Sequence, residues 1–371
     1  MASITIPYAV ADFIEMRERG FYYVDKTQYI AKLEDYKAPV FLRPRRFGKS
    51  LLVSTLACYY DRTKAHRFEE LFGDTWIGNH PTKEHNRYMI IRYDFSAMVM
   101  SDHIQGLAQN FNDLNCGPVE VMVAHNRDLF GDFEFSNRGD ASKMLEEVLT
   151  YARSHELPKV YILIDEYDVP LAKAFELGYY NSMTLLIRNL FENALKTNDS
   201  LKFAVLTGCM RISKESIFTG LNNLKVLSVA DVQFDEYFGF TDSEVDQLYE
   251  KYTRNTREIH ISREDLKEWY DGYRFGNADI YCPWDVINYV FDLTGNPKAL
   301  PKAYWINSSG NDLIKRFIDK ADTTTKDEIE QLIAGNAVEK RIRLDLTYDE
   351  IDNSIENVWS VLFMTGYLTR T

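Results

Sequence analysis

The stretch Arg43-Pro44-Arg45-Arg46-Phe47-Gly48-Lys49-Ser50 constrains the fold more than any other part of the chain. It joins the apolar run Pro39-Val40-Phe41-Leu42 to the helix-like Leu51-Leu52-Val53-Ser54-Thr55-Leu56-Ala57. A strand that turns sharply into a helix aims the first unpaired N–H groups, and the positive end of the helix dipole, at whatever anion lies above the turn. In such a cradle Gly48 lets the backbone approach a phosphate, Lys49 reaches the β- and γ-phosphates, and Ser50 offers its hydroxyl to Mg2+. The GxxxxGK[ST] spacing asks for glycine at position 43, where this chain carries arginine.

A second element strengthens the first. In Lys159-Val160-Tyr161-Ile162-Leu163-Ile164-Asp165-Glu166-Tyr167-Asp168, a β-prone apolar run ends in adjacent carboxylates. That pattern describes a buried parallel strand whose C-terminal edge delivers acids to a site. In a nucleotide hydrolase Asp165 would hold Mg2+ through its water shell, and Glu166 would orient and deprotonate the attacking water. A third apolar run, Lys202-Phe203-Ala204-Val205-Leu206-Thr207-Gly208, follows. Its strand is expected between the loop strand and the acidic strand, with the Thr207 hydroxyl near a γ-phosphate.

A chain of 371 residues with 45% hydrophobic content has room for two domains with their own cores. The net charge of −13 argues against a surface that coats nucleic acid, although a local basic groove stays open. The only dense basic cluster, Arg43, Arg45 and Arg46, lies in the loop, where it is expected to serve phosphates. Cys58, Cys116, Cys209 and Cys282 show neither disulfide nor zinc-ligand spacing. No run approaches the roughly 20 apolar residues that span a bilayer, and Met1–Pro7 lacks signal-peptide features. The expectation is a cytoplasmic protein without a membrane role.

Strands are expected near residues 39–42, 88–95, 160–165, 202–207 and 225–229, separated by helical patterns, which gives an α/β fold around a parallel sheet. The Gly/Asn/Asp-rich stretch 131–140 reads as a loop. After residue 235 helical runs dominate, from Asp242-Ser243-Glu244-Val245 to Glu356-Asn357-Val358-Trp359. Domains are therefore expected over 1–235 and 236–371.

Several segments together resemble one family, the predicted AAA-ATPase-like domain of bacterial proteins that is commonly fused to a C-terminal PD-(D/E)XK nuclease-like domain. The segments are Tyr23-Val24-Asp25-Lys26-Thr27, the 43–50 loop, Ile164-Asp165-Glu166-Tyr167-Asp168, Leu206-Thr207-Gly208 with Ser216–Leu224, Tyr270-Asp271-Gly272-Tyr273, and Tyr304–Gly310. The resemblance implies a P-loop NTPase of the additional-strand class, an α/β/α sandwich with sheet order 5-1-4-3-2, followed by a helical, winged-helix-like region. It also implies ATP and Mg2+ as ligands, with Walker A and Walker B elements at 43–50 and 160–166. Arg43 in place of the first glycine is usual in that family, whereas Cys282-Pro283-Trp284 departs from its Asn-Pro-Trp and puts a polar role for position 282 in doubt. No nuclease core is legible, so a stand-alone or truncated ATPase part is expected.

The candidate site thus has Arg45, Arg46, Phe47, Gly48, Lys49, Ser50 and Leu51 around the nucleotide, Ser50 and Asp165 at the metal, and Glu166, Lys49, Thr207 and Arg46 in catalysis. Arg45, Arg46 or Arg211 would act as an arginine finger, in the chain or toward another copy of it; a salt bridge to nearby acids is the alternative. Asp168 reads equally as a site acid or a helix cap. Asp25 and Lys26 would seat the base or form a surface ion pair. The aromatic segments 269–275 and 281–284 read as core packing, with base stacking the alternative. Three functions compete: an ATPase that controls a partner or fused nuclease, a STAND-type nucleotide-gated switch with little turnover, and a small-molecule P-loop kinase. The acidic pair after a long strand and the large helical region speak against the last.

Overall fold

The computed structural model describes residues 5–100, 104, 106–195, 201–211, 224–253, 262–305, 315 and 321–370. The segments Ser216–Asn223 and Ile306–Gly310 named above lie outside these residues.

The apolar runs form five parallel strands: β1 (Ala38–Leu42), β2 (Met89–Asp94), β3 (Val160–Asp165), β4 (Leu201–Gly208) and β5 (Leu224–Leu227). They lie in the order β2-β3-β4-β1-β5. Every residue of β1 and β3 is buried, as expected of central strands covered on both faces. The register sets the chemistry. Phe41 lies opposite Thr207, Leu42 opposite Gly208, Ile164 opposite Leu206, and Asp94 opposite Asp165. The C-terminal ends of β1, β3 and β4 therefore come level at one edge, where open α/β sheets bind ligands.

Helix Lys49–Tyr60 leaves the loop after β1 and packs against β2, β3 and β4. Helices Leu107–His125, Ala141–Ser154 and Tyr180–Leu195 pack on one another, the first also against β2 and the last against β4. Asp140 caps Ala141–Ser154 by accepting from the Lys143 N–H, a cap worth about 1 kcal/mol. The stretch before it, 131–140, is free of helix and strand.

Among the described residues beyond 235 the α-helices are Asp242–Thr253, Arg263–Tyr270, Pro283–Gly295, Thr323–Ile333 and Asn357–Thr365. The aromatic segment read there as helical core instead includes an antiparallel hairpin, β6 (Asp271–Phe275) and β7 (Ala278–Tyr281). Its tight turn is Gly276-Asn277, with Gly276 at φ 50. Apolar side chains gather in two clusters. The larger surrounds the sheet and takes in Leu346, Ile351 and Trp359 from near the end of the chain. The smaller joins Ile6 to Val245, Leu266 and Tyr281 and to Val286 and Leu293 of helix Pro283–Gly295.

Candidate functional site

The loop between β1 and helix Lys49–Tyr60 has the backbone that a phosphate cradle needs. Gly48 stands at the helix N-cap with φ 86, a left-handed conformation that glycine adopts without steric cost. A Cβ at this position would meet nothing within 4 Å, so the space beside the backbone is open. Arg46 also has a positive φ, 73, without being glycine. Strain of this kind persists only where the surroundings enforce it. Here Phe47, 1% exposed, is wedged against Tyr273 and Phe275 with ring centroids 4.9 and 5.0 Å away. The Phe47 side chain is thus an anchor in the core.

Lys49 is 3% exposed and folds back beneath the loop, where its Nζ donates to the carbonyls of Arg43 at 3.1 Å and Pro44 at 3.0 Å. It also pairs with Glu166 Oε1 at 3.2 Å and lies 3.6 Å from Cys209 Sγ. Burial works against the ammonium charge, yet Cys209, Glu166, Asp168 and Asp165 together raise its pKa. Burial pushes the Cys209 thiol up to about 12, so it is neutral at ordinary pH and the carboxylates hold the lysine charged.

The acids stand opposite. Asp165, 2% exposed, accepts from the Thr207 hydroxyl and from that of Ser50. Burial raises its pKa, against the pull of those two hydroxyls. Glu166 has φ 52, its N–H donates to Thr207 Oγ1 at 3.3 Å, and its Oε2 is buried without a hydrogen-bond partner among the described residues. Such an orphaned carboxylate oxygen costs free energy unless something else occupies the site. Lys49, Ser50, Asp165, Glu166 and Thr207 therefore form one contiguous constellation.

A cleft of about 660 Å³ opens above them. Residues 45–52 and Glu166 form one wall, and Tyr22, Thr27, Tyr237, Phe240, Trp284 and Ile287 are among those that form the other. Asp165 and Thr207 sit behind Ser50 and Glu166. Ser50 and Leu51 are half-buried in the near wall. Arg45 is half-buried too, and its pKa rises because Cys209, Tyr348, Asp168 and Glu166 outweigh the opposing effect of burial. Arg46 is exposed and stacks its guanidinium 4.0 Å above the Trp284 ring. Arg211 is near enough to Tyr167 to oppose the rise that burial gives its pKa, but it is not in the cleft wall.

Two sequence expectations change, for Arg43 and for Asp25 with Lys26, and two open points, Asp168 and Cys282, are narrowed. Arg43 does not face phosphates: it is 0% exposed and donates to the carbonyls of Leu42 and Leu227 at 2.9 Å and of Phe234 at 3.2 Å. Burial lowers its pKa to about 10. Asp168 does not cap helix Val169–Glu176; it accepts from the N–H groups of Cys209 and Met210. Asp25 and Lys26 are not a surface pair. Asp25 accepts from the Thr27 and Trp76 N–H groups, whereas Lys26, 8% exposed in the cleft wall, pairs with Glu244 at 2.7 Å. The Cys282 thiol does not cap the helix that follows, and it approaches the Arg46 carbonyl at 3.9 Å. Sequence reasoning missed Cys209 and Tyr348. From the sequence the cleft-lining Trp284 reads chiefly as core packing, with base stacking the alternative.

Residues 7–218, more than half of the chain, match the family described as Predicted AAA-ATPase. The chain belongs to this family. Nucleotide binding through a phosphate loop is the theme that membership in the AAA-ATPase-like family brings to the cleft. The matched region holds the 43–50 loop, the acidic pair and Thr207. The chain is also 27% identical over 372 residues to an uncharacterized protein in the vnfD 5' region of Azotobacter chroococcum mcd 1. That alignment covers 100% of this chain and 64% of the relative, so the chain spans under two thirds of the relative's length. Among the described residues of this family member, no helix is long and apolar enough to cross a membrane.

Proposed function

We propose that this chain binds ATP with Mg2+ over the 43–50 loop and hydrolyses it, and that this controls a protein partner or an attached nuclease. One observation carries the reading. Three separate parts of the sequence meet at one sheet edge, through the 3.2 Å Lys49–Glu166 pair and the Ser50 and Thr207 hydrogen bonds to Asp165. A hydroxyl beside a carboxylate is a hard oxygen donor set that suits Mg2+. The open space at Gly48 and the orphaned Glu166 oxygen fit a ligand there.

Bound Mg-ATP would supply a γ-phosphoryl group whose charge the cation partly neutralises. Ser50 and Asp165 would hold the cation. The N–H groups of residues 45–51 and the Lys49 ammonium bind phosphate oxygens, so Lys49 must exchange its loop carbonyls for them. Glu166, released from Lys49, orients water and takes its proton. Thr207 reports the γ-phosphate to the strand it ends. Arg46 offsets developing charge, with Arg45 and Arg211 as alternative donors.

Two variants test this. Lys49→Ala should lose affinity for ATP by calorimetry, and Glu166→Gln should bind ATP yet release no phosphate. Wild-type turnover in Glu166→Gln would refute Glu166 as the base.

A second reading, a STAND-type switch that holds nucleotide with negligible turnover, is favoured by the ion pair that neutralises Glu166. Calorimetry beside phosphate release separates the two, since tight binding without release supports the switch.

A further inference from the structure

Asp168 is 2% exposed, and the phosphate chemistry proposed above gives it no part. Its Oδ2 accepts from the N–H groups of Cys209 at 3.0 Å and Met210 at 2.9 Å, just past the end of β4. The same oxygen accepts from the Tyr348 hydroxyl at 3.3 Å. Its Oδ1 is buried with no hydrogen-bond partner among the described residues. Burial raises the Asp168 pKa, Glu166 adds to the rise, and Lys49 opposes it. The packing around it has no slack: a Cβ on Gly208 would lie 2.7 Å from Asp168 Oδ1 and 2.6 Å from the Tyr167 ring.

Tyr348 reaches this point from far along the chain. It is 5% exposed, in a turn whose start is fixed by reciprocal bonds between Thr347 and Glu350. After that turn, helix Asn357–Thr365 ends at Gly366, where a Cβ would lie 2.7 Å from Pro44 Cβ. The Gly366 carbonyl accepts from the Tyr273 hydroxyl at 3.0 Å. The segment 346–366 therefore touches the site twice, once at the end of β4 and once at the phosphate loop.

We infer that Asp168 and Tyr348 are positioning residues: Tyr348 steadies Asp168, which fixes the backbone after β4, so that Thr207 faces Asp165 and Cys209 lies against Lys49. Segment 346–366 is then a structural part of the site, and a displacement at either contact is felt at the other. By linkage, nucleotide would stiffen the segment as much as the segment favours nucleotide. This inference rests on the proposed nucleotide site for its kinetic consequence but not for its mechanical one.

The full chain carrying Tyr348→Phe tests it, since this change removes one hydroxyl and no packing volume. Without nucleotide, hydrogen exchange should speed up at residues 207–210, by roughly fivefold to tenfold for one lost bond to a carboxylate. With Mg-ATP, kcat should fall by a similar factor while KM stays within about twofold, because the loss of alignment is felt in the transition state. Asp168→Asn should act in the same direction and more strongly. A merely structural tyrosine would lower the melting temperature and leave kcat, measured well below it, unchanged. Wild-type exchange at 207–210 in Tyr348→Phe would overturn the inference, as would wild-type kcat beside faster exchange. If the wild-type chain neither binds nor cleaves ATP, the functional reading fails, and exchange at 207–210 alone decides the positioning role.

Discussion

Two carboxylates at the sheet edge and two on the rim of the smaller helical cluster are treated in opposite ways, while Asp285, buried at the start of helix Pro283–Gly295, is raised by burial as the sheet-edge pair is. Asp165 and Asp168 are each 2% exposed, and burial raises both pKa values. Asp242 and Asp292 keep 51% and 33% of their side chains in solvent, and partners lower both. For Asp242 the lowering comes first from the Tyr281 hydroxyl and then from Arg263; for Asp292 it comes from Lys302. At the sheet edge burial outweighs the partners and leaves Glu166 Oε2 and Asp168 Oδ1 unsatisfied among the described residues, whereas at Asp242 and Asp292 the partners outweigh burial. Buried charge that its partners only partly offset is costly and gathers where chemistry is done. The contrast separates a working edge from a scaffold.

The largest expected effect that tests this contrast is on turnover. Replacing Glu166 by glutamine keeps the shape but removes the base, so phosphate release should fall by about 10²–10⁴. The corresponding change in the scaffold, Asp242→Asn, should leave turnover within about twofold, as expected of a surface group outside the cleft. Equal losses in both would erase the distinction between the regions.

Arg43 gives the next effect, on stability. Arg43→Leu removes a buried charge but leaves the acceptors on Leu42, Leu227 and Phe234 short of a donor. The lost bonds outweigh the relief of burial, and urea unfolding should show a loss of about 2–4 kcal/mol. A variant as stable as wild type would mean that Arg43 does not bolt the end of β1 to β5.

How much of this was legible in the sequence depended on range. The loop, the acidic pair and Thr207 could be read because each is a local pattern, and a parallel sheet brings its strand ends level without further information. Arg43 and Lys26 were placed wrongly, and the cap reading of Asp168 failed, because their partners lie far along the chain, at Phe234, Glu244 and Met210. Tyr348 carries no local signal, since a tyrosine in a turn looks the same whether or not its hydroxyl reaches a buried carboxylate. The β6–β7 hairpin did have one: Gly276-Asn277 between two short runs is hairpin chemistry. The aromatic density of 269–275 drew attention away from it.

A smaller effect is expected in the scaffold itself. Arg263 bonds Asp242 at 2.7 Å and Asp246 at 2.6 Å, with those carboxylates about half in solvent. Exposed pairs of this kind contribute about 1 kcal/mol or less, so Arg263→Ala should cost about that in urea unfolding and should weaken with added salt. A loss above about 3 kcal/mol would show that the helical cluster hides its charges as the sheet edge does.

Acid resolves the contrast most finely, because the two pairs of carboxylates respond to it with opposite sign. Asp165 and Asp168 have folded pKa values above the unfolded value of 3.8. As pH falls from neutral, the folded chain takes up their protons before the unfolded chain does, so this edge is stabilised down to the unfolded value and gains no more below it. Asp242 and Asp292 have folded values below 3.8. Their contribution is complete above that pH and is lost as pH falls through the depressed values. Hydrogen exchange followed by segment, and corrected for intrinsic rates, should therefore show 160–168 and 201–210 gaining protection between neutral pH and about pH 4. Segment 242–253, which carries Asp242, should hold steady over that range and open first below it. If both regions lose protection together on acidification, burial does not raise the sheet-edge carboxylates, and the difference between the two sets of acids is not there.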